Sequence, residues 1–160
     1  LDEPAPGSWT ALAAAAFTLP VAVTGFAGYE RWDKPDPYGL TPGLTRALDE
    51  DVPPLATVLA PSVTSYRIAG YAPVRIVVAP AGHVAFKMED EYRARFRAAR
   101  LFFLEASTTP AQRAAILRRY DVGWVVVDKT RGRPSLPPGL KLEYGDERYS
   151  LYRVGRKEQG

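Results

Sequence analysis

Cysteine is absent from this chain, and histidine occurs once, at His83. The first absence excludes disulfides, thiolate nucleophiles and cysteine-bound zinc. The second excludes histidine-rich metal centres, and no carboxylate spacing points to a hard cation, so neither metal nor cofactor is expected. A strong charge of one sign is also missing. The formal net charge of +3 is too mild for a nucleic-acid binder, and no RNP-like, zinc-finger or basic-zipper pattern occurs. Phosphate loops are absent: no GxGxxG follows an apolar run, and no GxxxxGK[ST] exists. There is no GxSxG nucleophile elbow either.

The most telling absence is local. Between Glu3 and Glu30 no residue is charged: PAPGSWTALAAAAFTLPVAVTGFAGY. A spanning helix needs about 20 mostly apolar residues, and Trp9–Tyr29 is that long. Its threonines, glycines and single proline are tolerated in membrane helices, and Trp9, Tyr29 and Trp32 lie near its ends as an aromatic belt would. It lacks the basic lead region of a secretory signal. The alternative is an alanine-rich helix or strand pair buried in a water-soluble core, which Pro20 and the two glycines favour.

The 160 residues, 46% apolar and 24% charged, suit one domain with a real core and argue against disorder. Two regions are expected: a charge-free, membrane-derived segment with its linker over 1–39, and an α/β domain over 40–160. Residues 30–43, ERWDKPDPYGLTPG, read as the turn-rich connection. Thr41-Pro42 then opens a short helix through Leu44, Ala47 and Leu48 that must stop before Pro53-Pro54. ATVLAP (56–61) is a short strand, and SVTSYRIAGY (62–71) a helix with Ser62 as its N-cap and Gly70 closing it. VRIVVAP (74–80) is the most strand-like run. A helix over 88–105 has its apolar stripe at Tyr92, Phe96, Ala99 and Phe103. A second Thr-Pro start, Thr109-Pro110, opens a helix ending in basic residues. GWVVVD (123–128) is a third buried strand, and LKLEYGDERYSLYRV (140–154) folds into a hairpin about Gly145-Asp146. Strands separated by helices pair in parallel. The expected fold is a small Rossmann-like, three-layer α/β domain, its mostly parallel sheet extended by a C-terminal antiparallel hairpin.

Ligands of such sheets bind outside the carboxyl ends of the strands. The candidates there are Ser62, Thr64, Ser65 and Tyr66 after the first strand, His83 after the second, and Asp128 and Lys129 after the third. A hydroxyl-rich helix start beside a basic loop suits a phosphate. The plainer reading is capping and turn chemistry. Ser65, His83 and Asp128 make a catalytic triad on paper only, since residue types without geometry prove nothing. Arg93, Arg97 and Arg100 share one helix face, which is read as solvated and paired with the acidic turn Glu89–Glu91.

Three longer stretches carry a resemblance: LTPGLTRALDEDVPPLATVLAPSVTSYRIAGYAPVRIVVAPAGHVA (40–85), RRYDVGWVVVDK (118–129) and YSLYRV (149–154). Over roughly 40–154 the chain resembles the C-terminal region of bacterial multi-spanning membrane proteins of the GT-C glycosyltransferase type. The resemblance implies an extracytoplasmic α/β domain, membrane-associated, whose partner is the membrane portion of its own parent chain. It implies that sugars come from polyprenyl-phosphate donors, so a lipid-phosphate sugar is a potential ligand of the parent. Catalysis in that family belongs to an early loop between membrane helices, which this chain lacks, so no catalytic residue carries over. The expected function is therefore a non-catalytic accessory domain. The alternative is a stand-alone α/β module binding a phosphorylated ligand at the strand ends. His83 is expected in the loop entering the 88–105 helix, hydrogen-bonded to backbone.

Overall fold

A computed structural model describes residues 16, 18–20, 23, 39–83 and 88–155, with His83 described by its backbone alone. Contacts divide the chain into two units, Leu1–Gly39 and Leu40–Gly160. In the first, Ala16, Thr18–Pro20 and Val23 are helical. Otherwise the expected span over 9–29, the connection up to residue 38 and the polar end after Gly155 lie outside the described residues. No helix among the described residues is long and apolar enough to cross a membrane.

The second unit runs α1 (Pro42–Asp51), β1 (Thr57–Leu59), α2 (Ser62–Tyr71), β2 (Arg75–Ile76), α3 (Glu89–Phe103), α4 (Pro110–Arg119), β3 (Trp124–Asp128), β4 (Leu140–Gly145) and β5 (Tyr149–Val154). Single 3-10 turns occupy Ala81–His83 and Lys129–Arg131. The sheet order is β2-β1-β3-β5-β4. β1 lies parallel to β2 and β3, with Val58 opposite Ile76 on one side and Trp124 on the other. β5 is antiparallel to both β3 and β4, and the β4–β5 register slips between Leu142 and Tyr144. The architecture is mixed α/β, with a parallel core and an antiparallel C-terminal hairpin.

Side-chain alternation explains the layering. Successive residues of a strand point to opposite faces. Val58, Trp124 and Val126 pack with Leu44, Leu48 and Ile68, from α1 and α2. Leu59, Val125 and Val127 pack with Ala99, Phe102 and Leu117, from α3 and α4. β3 is buried along its whole length, as a near-continuous apolar strand covered on both faces should be.

The helix ends follow local chemistry. Thr41 accepts a hydrogen bond from Leu44 N at 3.3 Å. Thr109 builds a full capping box: its hydroxyl accepts from Gln112 N at 3.3 Å, and its own N–H donates to Gln112 Oε1 at 2.8 Å. α3 starts on Glu89, Asp90 and Glu91 and carries Arg100 in its last turn, matching the helix dipole at both ends. Beyond it, the buried guanidinium of Arg113 reaches from α4 to three carbonyls, of Phe102 (Nε, 2.8 Å), Glu105 (Nη2, 2.8 Å) and Thr108 (Nη1). A cation thus neutralises the carbonyl-rich end of one helix from inside the next.

Three expectations need correction. The strand expected over 74–80 is paired only at Arg75 and Ile76. It is an edge strand whose one neighbour, β1, is itself three residues long. Val77 N still donates to Val58 O at 3.1 Å, and Val77 and Val78 are apolar because they enter the α3–α4 core. Ser62 is not an N-cap but the first helical residue; Pro61 precedes it and no side chain caps the helix. Gly70 lies inside that helix, which closes at Ala72 through its N–H to Ile68 O. The expected stripe on α3 holds except at Phe96: Ala99 and Phe103 are buried with Ala98 and Phe102, and Tyr92 packs against the same core. The two alanines allow close approach to the sheet, while Phe96 sits at the rim against the Tyr92 ring, 5.7 Å between centroids.

Candidate strand-end site

β1, β2 and β3 lie side by side, so the segments after them share one edge of the sheet. The hydroxyls after β1 divide. Ser65 is fully buried and its Oγ donates to Ala60 O at 3.0 Å, tying the first turn of α2 to the strand end. Thr64 is buried beside it, and Tyr66 is exposed. Ser62 is half-buried and lines a small cleft. His83 ends the 3-10 turn after β2; its side chain, and the backbone bond expected of it, lie outside the described residues.

After β3, Asp128 is 3% exposed. Its Oδ1 accepts from Thr130 N at 3.1 Å and Thr130 Oγ1 at 2.6 Å, while Oδ2 lies 3.7 Å from Arg131 Nε. That is an Asx-type cap on the 3-10 turn, and it holds Arg131 in place. Lys129 turns the other way. Its backbone N–H donates to Arg148 O at 2.8 Å, and its ammonium donates to the Asp146 carbonyl in the hairpin turn.

The cleft that remains open at this edge measures about 170 Å³. Pro61 and Ser62 form one wall, Phe96, Ala99 and Phe103 of α3 another, and Arg100 and Arg131 supply the charge. The structure therefore brings Ser62 together with two arginines. It does not bring Thr64, Ser65, Tyr66, Asp128 or Lys129 to the cleft lining. Arg131 lies just past the candidates named after the third strand, and Arg100 was read from sequence as part of a solvated face. A larger cleft of about 800 Å³ opens at the opposite, amino end of the strands, lined by Thr57, Arg75, Trp124, Lys141 and Arg153 among others. Lys141 and Arg153 there are both engaged by Glu143, at 3.1 and 2.8 Å.

The densest polar cluster lies in the hairpin turn. Asp146 Oδ2 accepts from Thr41 Oγ1 at 2.5 Å and Tyr144 Oη at 2.7 Å; Oδ1 accepts from Arg148 N at 2.8 Å and Tyr149 N at 2.6 Å. Burial pushes the carboxyl pKa up, but hydrogen bonds from Thr41, Tyr149, Tyr144 and Arg148 outweigh it and hold it below the ordinary value. Burial and the Asp146 carboxylate together raise Tyr144. A side chain on Gly43 would fall on the Tyr144 hydroxyl, so the close approach of α1 to the turn needs glycine there. This cluster is a staple between the start of α1 and the hairpin, with every acceptor position of the carboxylate used internally.

Among the described residues no group of His, Asp and Glu could hold a metal ion. Compared with known proteins, the chain matches no family model and no curated protein.

Proposed function

We propose that the chain is a non-catalytic accessory domain of a membrane glycosyltransferase-like protein that uses polyprenyl-phosphate sugars, held at the extracytoplasmic face by the membrane portion of its own parent chain. The observation that carries this reading is how the strand-end polar groups are used. Ser65 is bonded to Ala60, Asp128 to Thr130, and Lys129 to the Asp146 carbonyl, all within the fold. Groups that perform acid–base or nucleophilic chemistry face a ligand and one another. Ser65 and Lys129 face backbone carbonyls, and Asp128 faces its own turn and Arg131. The order of helix, short strand, helix, arginine-rich helix, buried WVVVD strand and hairpin agrees with the resemblance, and we read its parallel core as Rossmann-like. The test lies in the gene: the reading frame upstream of Leu1 should encode several apolar spans. A frame with none would sink the proposal.

A second reading has one specific observation in its favour, the cleft between Ser62, Arg100 and Arg131. It suits a small phosphorylated ligand, with guanidinium forks for the phosphate and an apolar floor. Under this reading sugar phosphates raise Tm in a thermal-shift series, and Arg131→Ala abolishes the rise. No shift with any sugar phosphate or nucleotide rules it out.

A further inference from the structure

α3 carries apolar residues on both sides. Away from its buried face Leu101 and, one position past the helix, Leu104 stand 39% and 57% exposed, and Phe96, 37% exposed, stands at the rim; Phe96 and Leu104 also line the strand-end cleft. Arg93, Arg97 and Arg100 share this outward side. At 100° per residue the arginines and Leu104 take its middle, with Phe96 and Leu101 on its flanks. A shallow groove of about 380 Å³ runs along it. Single exposed apolar residues are normal on a protein surface, but three guanidinium groups in a row with apolar neighbours suit an anionic surface that also offers apolar contact.

The carboxylates stand at the two ends of this face, Glu89 and Asp90 in the first turn and Glu105 past the last. Glu89 pairs with Arg93 at 2.5 Å and Glu105 with Arg100 at 3.2 Å, while Glu91 turns aside to Arg95 at 2.7 Å. Arg97, in the middle, has no ion pair among the described residues. Both end pairs are exposed, and such pairs contribute little, so phosphate oxygens can replace the carboxylates at small cost. The stripe from Arg93 to Leu104 is about 16 Å long at 1.5 Å per residue, enough to lie along several headgroups.

We propose that this face of α3 docks on a membrane surface containing anionic phospholipid. Arg93, Arg97 and Arg100 take the headgroup phosphates, and Phe96, Leu101 and Leu104 enter the boundary with the acyl chains. The proposal rests on the membrane-associated reading above and adds which surface meets the lipid.

Sedimentation of the full chain with vesicles tests it, using phosphatidylcholine alone or mixed with phosphatidylglycerol. The wild type should prefer the mixed vesicles and lose binding as salt rises. Arg97→Gln should bind them about fivefold more weakly, and Arg93→Gln with Arg97→Gln about 25-fold, at the usual contribution of a basic residue near an anionic surface. Leu104→Ser should weaken binding without changing the salt dependence. All these side chains are exposed, so Tm should hold and separate lost docking from lost folding. Equal binding by wild type and the double arginine variant overturns the proposal, as does indifference to phosphatidylglycerol. Either failure leaves the accessory-domain reading standing, because that one is decided by the gene upstream. A frame without spans removes that reading and leaves the vesicle result intact.

Discussion

β1 and β2 are paired at Thr57–Arg75 and Val58–Ile76, whereas β5 runs beside β3 from Trp124–Arg153 to Asp128–Tyr149. The two halves of one sheet thus depend on different interactions. Three backbone bonds, Leu55 N to Pro73 O, Arg75 N to Ala56 O and Val77 N to Val58 O, make a short ladder, and helices on both faces pack against these strands. The antiparallel half has a long ladder and a turn fixed by Asp146. Helix-to-helix connections should therefore limit the stability of the parallel half, and the hairpin staple that of the antiparallel half.

Arg113 gives the sharpest way to break that contrast. Arg113→Ala leaves the carbonyls of Phe102, Glu105 and Thr108 without the buried guanidinium and opens space in the core between α3 and α4. Charged hydrogen bonds and orphaned buried acceptors put the loss at about 3 kcal/mol or more, readable by urea unfolding. Amide exchange should quicken in α3, α4 and β1 before it does in the β3–β5 ladder. Uniform quickening would mean that the two halves unfold as one.

Asp146 tests the other half. Asp146→Ala removes four hydrogen bonds at once. Part of that loss is recovered from water at this half-buried site, leaving about 2 kcal/mol. The same group sets a pH dependence. Its folded pKa lies below the ordinary 3.8, so its stabilisation is fully present above the unfolded value and disappears as pH falls through the folded one. The wild type should lose stability with acid in that window more steeply than Asp146→Asn. Parallel curves would show the carboxylate to be no better stabilised folded than unfolded.

What could be read from sequence follows the same division between local and distant causes. GWVVVD announced itself as a doubly buried strand by composition, and Thr41-Pro42 and Thr109-Pro110 as helix starts by local chemistry. The hairpin followed from Gly145-Asp146. VRIVVAP misled because burial and pairing both select valine and isoleucine, and only tertiary structure tells a ladder residue from one packed under α3. Nothing near Arg113 in sequence says that α3 ends over it. Which strand-end residues share a cleft is a tertiary matter that their order in sequence does not contain. Ser62 meets Arg131 and Arg100, the last brought in by a helix that begins 27 positions after Ser62. Asp146 is bonded to Thr41 across 105 positions, a link no local pattern encodes.

The two Thr-Pro starts give the finest comparison, because identical dipeptides cap helices in the two settings. Thr109 works alone with Gln112 at an exposed helix start, so Thr109→Ala should cost about 1 kcal/mol, the usual worth of a cap. Thr41 caps α1 at the same 3.3 Å distance but also donates its hydroxyl proton to Asp146. Thr41→Ala should therefore cost more than Thr109→Ala, and the excess should vanish when both are measured in an Asp146→Ala background. Chemical denaturation of the four variants closes that double-mutant cycle. An excess that survives without Asp146 would place the difference in the helices themselves and detach α1 from the hairpin staple.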